Sequence, residues 1–256
     1  MDRPRPPAVA RAPSRRRVTP NPLGPEVDPT PRALPARIAI RGQYVVLEPL
    51  HRRHAAELWL AANASQRAGT DAGWDYLGYG PFATAASLAA FVADFAATHD
   101  PMAWAIRPVS TGLASGWLTL MDIQPRNALI ELGHIWFSPE LRRTRAASEA
   151  MFLLLRLAAD DLGYRRLVWK CHALNTPSRC AAVRLGFTYE GTLRADKVIK
   201  GRLRDTAYFS ILEDEWPSRR DALRAWLDPG NFAPSGTALR GLAEIRLLLA
   251  ASKPSG

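Results

Sequence analysis

Residues 131–150 read ELGHIWFSPELRRTRAASEA, and this stretch decides the fold. A strand that ends at Phe137 runs into a short loop, and the loop opens a long helix. That helix begins near Ala146 and runs to Leu162. Ala147, Ala150, Met151, Leu154, Leu155, Ala158 and Leu162 recur at helical spacing, and Gly163 supplies the stop. The first backbone N–H groups of such a helix have no intrahelical acceptor and carry the positive end of its dipole, an arrangement that suits a phosphate. Arg142, Arg143 and Arg145 add cationic donors there, and Thr144 adds a hydroxyl. A solvated basic turn would look the same, so the neighbouring sequence has to decide.

Downstream, Leu167–Ala173 alternates as a strand. Asn175-Thr176-Pro177-Ser178 opens a helix over Pro177–Leu185, which Gly186 ends. Phe187–Arg194 and Thr206–Glu213 read as a closing antiparallel pair, followed by helices over Pro217–Leu227 and Leu239–Ala251. Upstream, Tyr44–Leu47 is a short strand, and His51–Ala68 and Ala83–Thr98 are helices, the second capped by Thr84. Met102–Val109 and Leu113–Ile123 form a hairpin, and Ala128–Phe137 is the next strand. The intervening segment Gly69–Phe82, with Trp74, Tyr76 and Tyr79, is too aromatic for an idle loop. This order gives an α/β fold with a mixed sheet.

Strand, basic loop, helix, strand, Asn-x-x-Ser, helix and Gly-Phe-x-x-Glu-Gly (Gly186 to Gly191) follow one another here. That series resembles the acetyl-CoA-binding half of the GNAT superfamily, in the branch of the ribosomal-protein acetyltransferases RimJ and RimL. The resemblance covers roughly residues 40–215. It implies a single domain with a strongly twisted, mostly antiparallel mixed sheet that splays open between the strands ending at Phe137 and Ala173, with helices on both faces. Acetyl-CoA would be the acetyl donor, with its pantetheine arm along Trp136, Phe137 and Ser138. Its pyrophosphate would rest on Arg142, Arg143, Thr144, Arg145, Ala146 and Ala147, and Asn175 and Ser178 would meet its thioester end. Two departures stand out. Arg145 takes the place of the family loop's first glycine, and Ala182 stands where many relatives carry a thiolate-protonating tyrosine.

Acyl transfer to an amine requires no metal, but the ammonium must lose a proton before it attacks. Glu131 is the first candidate base. It shares a strand face with Leu129, Gly133 and Ile135, where burial would raise its pKa; the alternative is a solvated Glu paired with an Arg. Its spacing from Arg142, eleven residues, is similar to that of the catalytic Glu in the histone-type members of the family. Ser178 is the candidate acid at the sulfur, by resemblance, or simply a helix cap. Asp196 is a reserve base. His134 falls on the opposite strand face from Glu131 and reads as a packed residue, and Lys200–Asp205 is a basic hairpin tip.

The 256 residues carry a net charge of +10, but eight Arg against three acids in residues 1–40 supply half of it. Nucleic acid is therefore not required as a partner. Two cysteines, Cys171 and Cys180, lie at no ligand-like spacing, and no apolar run approaches a membrane span. The expected organisation is a disordered Pro/Arg-rich tail over 1–35, the acetyltransferase domain over 36–228, and a C-terminal extension over 229–256 with one amphipathic helix. The chain reads as cytoplasmic, and a homodimer is compatible. The acceptor is an amine, on a peptide N-terminus or a small molecule. The competing reading is a non-catalytic module of the same fold that binds CoA or docks on the ribosome or RNA.

Overall fold

A computed structural model describes the backbone of residues 23–67 and 73–251. The first 22 residues of the expected tail, the loop segment 68–72 and residues 252–256 lie outside it. The strands are β1 (Ile40–Arg41), β2 (Val45–Pro49), β3 (Met102–Pro108), β4 (Gly116–Gln124), β5 (Leu129–Phe137), β6 (Arg166–His172), β7 (Thr188–Ile199) and β8 (Arg202–Leu212). The helices are α1 (Ala55–Arg67), α2 (Ala85–Ala97), α3 (Arg145–Arg156), α4 (Thr176–Leu185), α5 (Trp216–Leu227) and α6 (Leu242–Ala251). All eight strands join one sheet in the order β1-β2-β3-β4-β5-β6-β8-β7. Among them β5 and β6 form the parallel pair, and the other neighbours run antiparallel.

Helices cover both faces because the strands are apolar on both. On one face α3 packs over Leu47, Trp104, Ile106, Leu118, Leu167 and Ile211, with α5 beside it and α6 against α5. On the other, α1 and α2 bring Leu58, Leu88, Val92 and Phe95 against Ala105, Trp117 and Trp136. The centre of the first layer is α3, whose Leu153, Leu154 and Leu155 are all buried. Each such burial contributes about 1.5–3 kcal/mol. Helix α3 widens into a π turn at Leu157–Asp161 before Gly163 (φ 70°) reverses the chain, so the regular helix ends earlier than its apolar spacing suggests.

A carboxylate locks α3 to the sheet. Glu149 is buried and accepts the backbone N–H groups of Gln43, Tyr44 and Val45 at 2.8, 2.6 and 2.9 Å. Gly42 precedes them because a Cβ there would fall 2.5 Å from the same carboxyl group. The turn into β2 is thereby fixed on α3, which positions the head of that helix.

The chain ahead of β1 is pinned to the body, although the boundary was expected at 35/36. Arg165 donates to the Asp28 carbonyl at 2.8 Å, Arg32 N–H to Pro125 at 3.0 Å, and the Tyr164 hydroxyl to Ala33 at 3.1 Å. Pro35 is buried. Composition suggested a tail because these residues form no regular element, yet their backbone groups find partners on the body. The β7–β8 hairpin is also longer than its sequence pattern implied. Among the described residues no helix is long and apolar enough to cross a membrane.

Candidate functional site

The parallel pair holds for three positions, Leu129 with Arg166, Ile130 with Leu167 and Glu131 with Val168. Beyond them β6 stays with β8 while β5 follows β4, so the two strands part and leave the edge of β5 open. A cleft of about 610 Å³ fills the wedge, lined among others by Glu131, His134, Lys170, Trp169, Asn175 and Ser178.

A β-bulge alters the expected face pattern. Trp117 pairs with Trp136 but Thr119 pairs with Gly133, so β5 carries one extra residue, and His134 sits there at φ 46°. The insertion resets the alternation. His134, expected on the far face from Glu131, lines the same cleft. It also stacks on Tyr79 with ring centres 5.5 Å apart. Burial lowers its pKa, and the Lys197 and Arg204 charges push it the same way, so the ring is neutral near pH 7.

Glu131 stands at the vertex where the strands part and is 5% exposed. Burial raises its pKa, and the Lys170 ammonium at 2.9 Å opposes that rise. Lys170 in turn donates to Asp122 at 2.8 Å. Its own burial works against the charge, but the two carboxylates outweigh it and hold the ammonium well above the usual lysine range. Asp122 is depressed by its bonds from Lys170 and Gln124. Asp122 also belongs to a bulge (φ 45°), where the Asp100 carboxylate caps the N–H groups of Asp122 and Ile123 at 2.9 and 3.0 Å. The site is therefore a buried carboxylate with a shifted pKa beside a fixed cation, which can hold or take up a proton.

Across the wedge, α4 begins with Asn175 as its cap, whose Oδ1 accepts the Ser178 N–H at 3.1 Å. The alternative reading of Ser178 as the cap does not describe this helix. Its hydroxyl instead accepts the Trp169 indole N–H at 3.1 Å and keeps its O–H as a donor, with the Cys171 thiol also beside it. Asn175 keeps its amide NH₂ for the cleft.

At the head of α3 the expected donors separate. Thr144 caps the helix, accepting from Ala147 N–H at 3.1 Å and donating to the Leu141 carbonyl at 2.7 Å, so both groups are engaged. The N–H groups of Arg145 and Ala146 remain at the helix start, and the exposed Arg143 sits above them at φ 62°. The Arg145 side chain turns away from the wedge, its guanidinium 4.7 Å from the Tyr44 ring centre and 3.9 Å from that of Phe232 in the C-terminal extension. As the first helical residue Arg145 needs no left-handed backbone, so the glycine substitution is accommodated. Ser138 N–H bonds to the Ser115 carbonyl and the Phe137 carbonyl accepts from Arg142 Nε at 3.2 Å. Alternation then turns the Ile135 and Phe137 backbone toward the open edge. The Trp136 ring is buried away from it, stacked 4.7 Å from Trp74.

Residues 73–82 of the aromatic segment form a strap across the wedge. Trp74 packs on the β5 side, while the Tyr76 hydroxyl reaches the Leu174 carbonyl at 3.2 Å and its ring lies 5.1 Å from His172. From the hairpin tip, Lys200 Nζ donates to the Trp74 carbonyl at 2.7 Å. Asp196 does not line the cleft, and its Oδ2 is buried without a hydrogen-bond partner. Sequence reasoning missed Lys170 and Asp122, because their meeting with Glu131 depends on pairing β4, β5 and β6. The alternation of Leu167–Ala173 does not name what lies opposite Lys170.

Comparison with known proteins identifies the family and the fold. The family model described as Acetyltransferase (GNAT) domain matches residues 45–188. A crystal structure of a GCN5-related N-acetyltransferase from Brucella melitensis is 42% identical, covers 85% of this chain and 97% of its own, and has a TM-score of 0.80. A GNAT-family chain from Chromobacterium violaceum is 39% identical over 77% of this chain and 100% of its own, with a TM-score of 0.68. The Bacillus subtilis protein named "Putative ribosomal N-acetyltransferase YdaF" is 27% identical over 109 residues, 43% of this chain and 59% of that relative.

Proposed function

The chain belongs to the GNAT acetyltransferase family, and we propose that it transfers an acetyl group from acetyl-CoA to a primary amine by direct attack on the thioester. Acetyl-CoA, when bound, supplies the activated acyl group. The observation that carries the reading is the buried Glu131 carboxylate at the vertex of the wedge, with its pKa raised by burial. An ammonium acceptor must be deprotonated in the cleft, and a carboxylate of raised pKa is a better base than an ordinary one. Lys170 keeps Glu131 ionised enough to act and fixes its direction.

The remaining residues position and assist. The open edge of β5 at Ile135 and Phe137 offers backbone groups to an amide-bearing arm, and the helix head at Arg145 and Ala146 offers N–H groups to phosphates. Ser178, oriented by Trp169, has a proton to donate at the sulfur end, a role that Ala182 cannot fill in place of a tyrosine. The neutral His134 packs beside the acceptor space. The strap and the hairpin tip cover that space and limit water. The acceptor is a protein N-terminus or a small-molecule amine, in the cytoplasm; the B. subtilis relative's name favours a ribosomal-protein terminus among these.

Calorimetric titration with acetyl-CoA tests the donor half directly. Micromolar binding, roughly −8 kcal/mol, is expected. No heat at millimolar ligand would remove the donor site and with it the reaction.

A further inference from the structure

The hairpin wall of the cleft carries an arrangement that folding alone disfavours. Lys197 of β7 and Arg204 of β8 are direct cross-strand partners, and residues so placed project from the same face. Like charges in that position repel, and the register that creates the pairing is built in. Leu193 pairs with Thr206 and Lys197 with Arg204, so β7 carries two extra residues between those pairs. Ala195 turns through φ 50° within the insertion, and its N–H is held by Asp205 Oδ1 at 2.7 Å.

Both cations line the cleft that contains Glu131. Neither forms an ion pair among the described residues, whereas Arg53, Arg107, Arg166 and Lys170 each meet a carboxylate. The acids of the same cleft are already engaged, Glu131 and Asp122 by Lys170, and Asp100 by two backbone N–H groups. Arg204 spends its Nε on Thr206 Oγ1 at 3.1 Å, which leaves the terminal nitrogens for another acceptor. Lys200 ties the hairpin to the Trp74 carbonyl, so the pair is held over the cleft.

We propose that Lys197 and Arg204 are the anion-binding part of the acceptor site, and that the acceptor is an amine bearing an oxyanion, either a carboxylate or a phosphate. The inference rests on the acetyltransferase reading and names the substrate class of that site. The amine lies toward Glu131 and the oxyanion toward the hairpin, a division that a planar guanidinium and an ammonium on one wall enforce.

The test uses the full chain saturated with CoA, so that added anions do not report on the head of α3. Inorganic phosphate and acetate are each compared with chloride at equal ionic strength by thermal melting. Phosphate or acetate should raise the melting temperature of the parent, and the Lys197→Gln/Arg204→Gln variant should lose that shift. Two matched pairs of amines, phenylalanine with phenylalaninamide and phosphoethanolamine with ethanolamine, identify the oxyanion. The charged member of one pair should be acetylated about tenfold or more faster in kcat/KM, and the double variant should erase the preference. An anion shift that survives in the variant, or no anion shift in the parent, overturns the proposal even if acetyl-CoA binds. Failure of acetyl-CoA to bind would instead strike the acetyltransferase reading.

Discussion

The two walls of the cleft are built on opposite plans. The β5 wall is part of a core: Trp136 stacks with Trp74 and Trp117 at 4.7 and 4.8 Å, and Tyr79 donates its ring to the same cluster. The β7–β8 wall is a two-stranded projection whose outer positions are largely exposed, with Leu193, Val198 and Leu203 each more than half accessible. A wall embedded in a core holds its geometry to within a packed lattice. A projecting hairpin tolerates substitution with little cost to the fold. The carboxylate proposed as the base sits on the rigid wall, and the charged residues proposed to select the acceptor sit on the projecting one.

Trp136→Ala should break this contrast most severely. Loss of a fully buried indole from an aromatic cluster costs about 3–5 kcal/mol, and chemical denaturation should show it as a large fall in the transition midpoint. A loss under about 1 kcal/mol would mean that the β5 wall is not held by its core. Glu131→Gln should come next. Turnover should drop by ~10²-fold or more while acetyl-CoA affinity is unchanged, because the amide keeps the shape and loses the base. The pH profile sharpens the point. A base must be ionised, and the folded pKa of Glu131 is raised. The activity should therefore climb with pH through a limb above the ordinary carboxylate range. His134, whose pKa is lowered, could place a limb nearby. Only a limb that vanishes in the Gln variant belongs to Glu131.

Legibility in the sequence follows the same division. Elements with a strong local period were readable: α3 from its apolar spacing, α2 from Thr84, α4 from Asn175 and Gly186. The wedge itself was reached by resemblance, through the order of motifs from Glu131 to Gly191, not by periodicity. What could not be read were features that depend on register. The bulge that swings His134 onto the face of Glu131 is a shift of register against β4, at a residue with no turn signature. Lys170 and Asp122 meet Glu131 because three strands align, and the Lys197–Arg204 pair depends on a two-residue insertion in β7. The Arg145 side chain was assigned to the phosphate because nothing in residues 131–150 announces Tyr44 and Phe232. Composition likewise hid the anchoring of residues 28–33, which is made by backbone groups and carries no side-chain code.

The smallest expected effect tests whether the walls act together. Lys200 joins them through one hydrogen bond, from its ammonium to the Trp74 carbonyl. Such a bond at a partly solvated position contributes about 0.5–1.5 kcal/mol at most, and the hairpin remains held by its long pairing with β8. Lys200→Ala should therefore leave the melting temperature within a degree or two. If the bond merely decorates the surface, kinetics should not move either. If it holds the hairpin over the cleft, kcat should stay while KM for the acceptor rises a few-fold, because the rigid wall keeps Glu131 in place and only the position of the projecting wall relaxes. A fall in kcat with KM unchanged would show that the projecting wall reaches the chemistry, and the division between the two walls would fail.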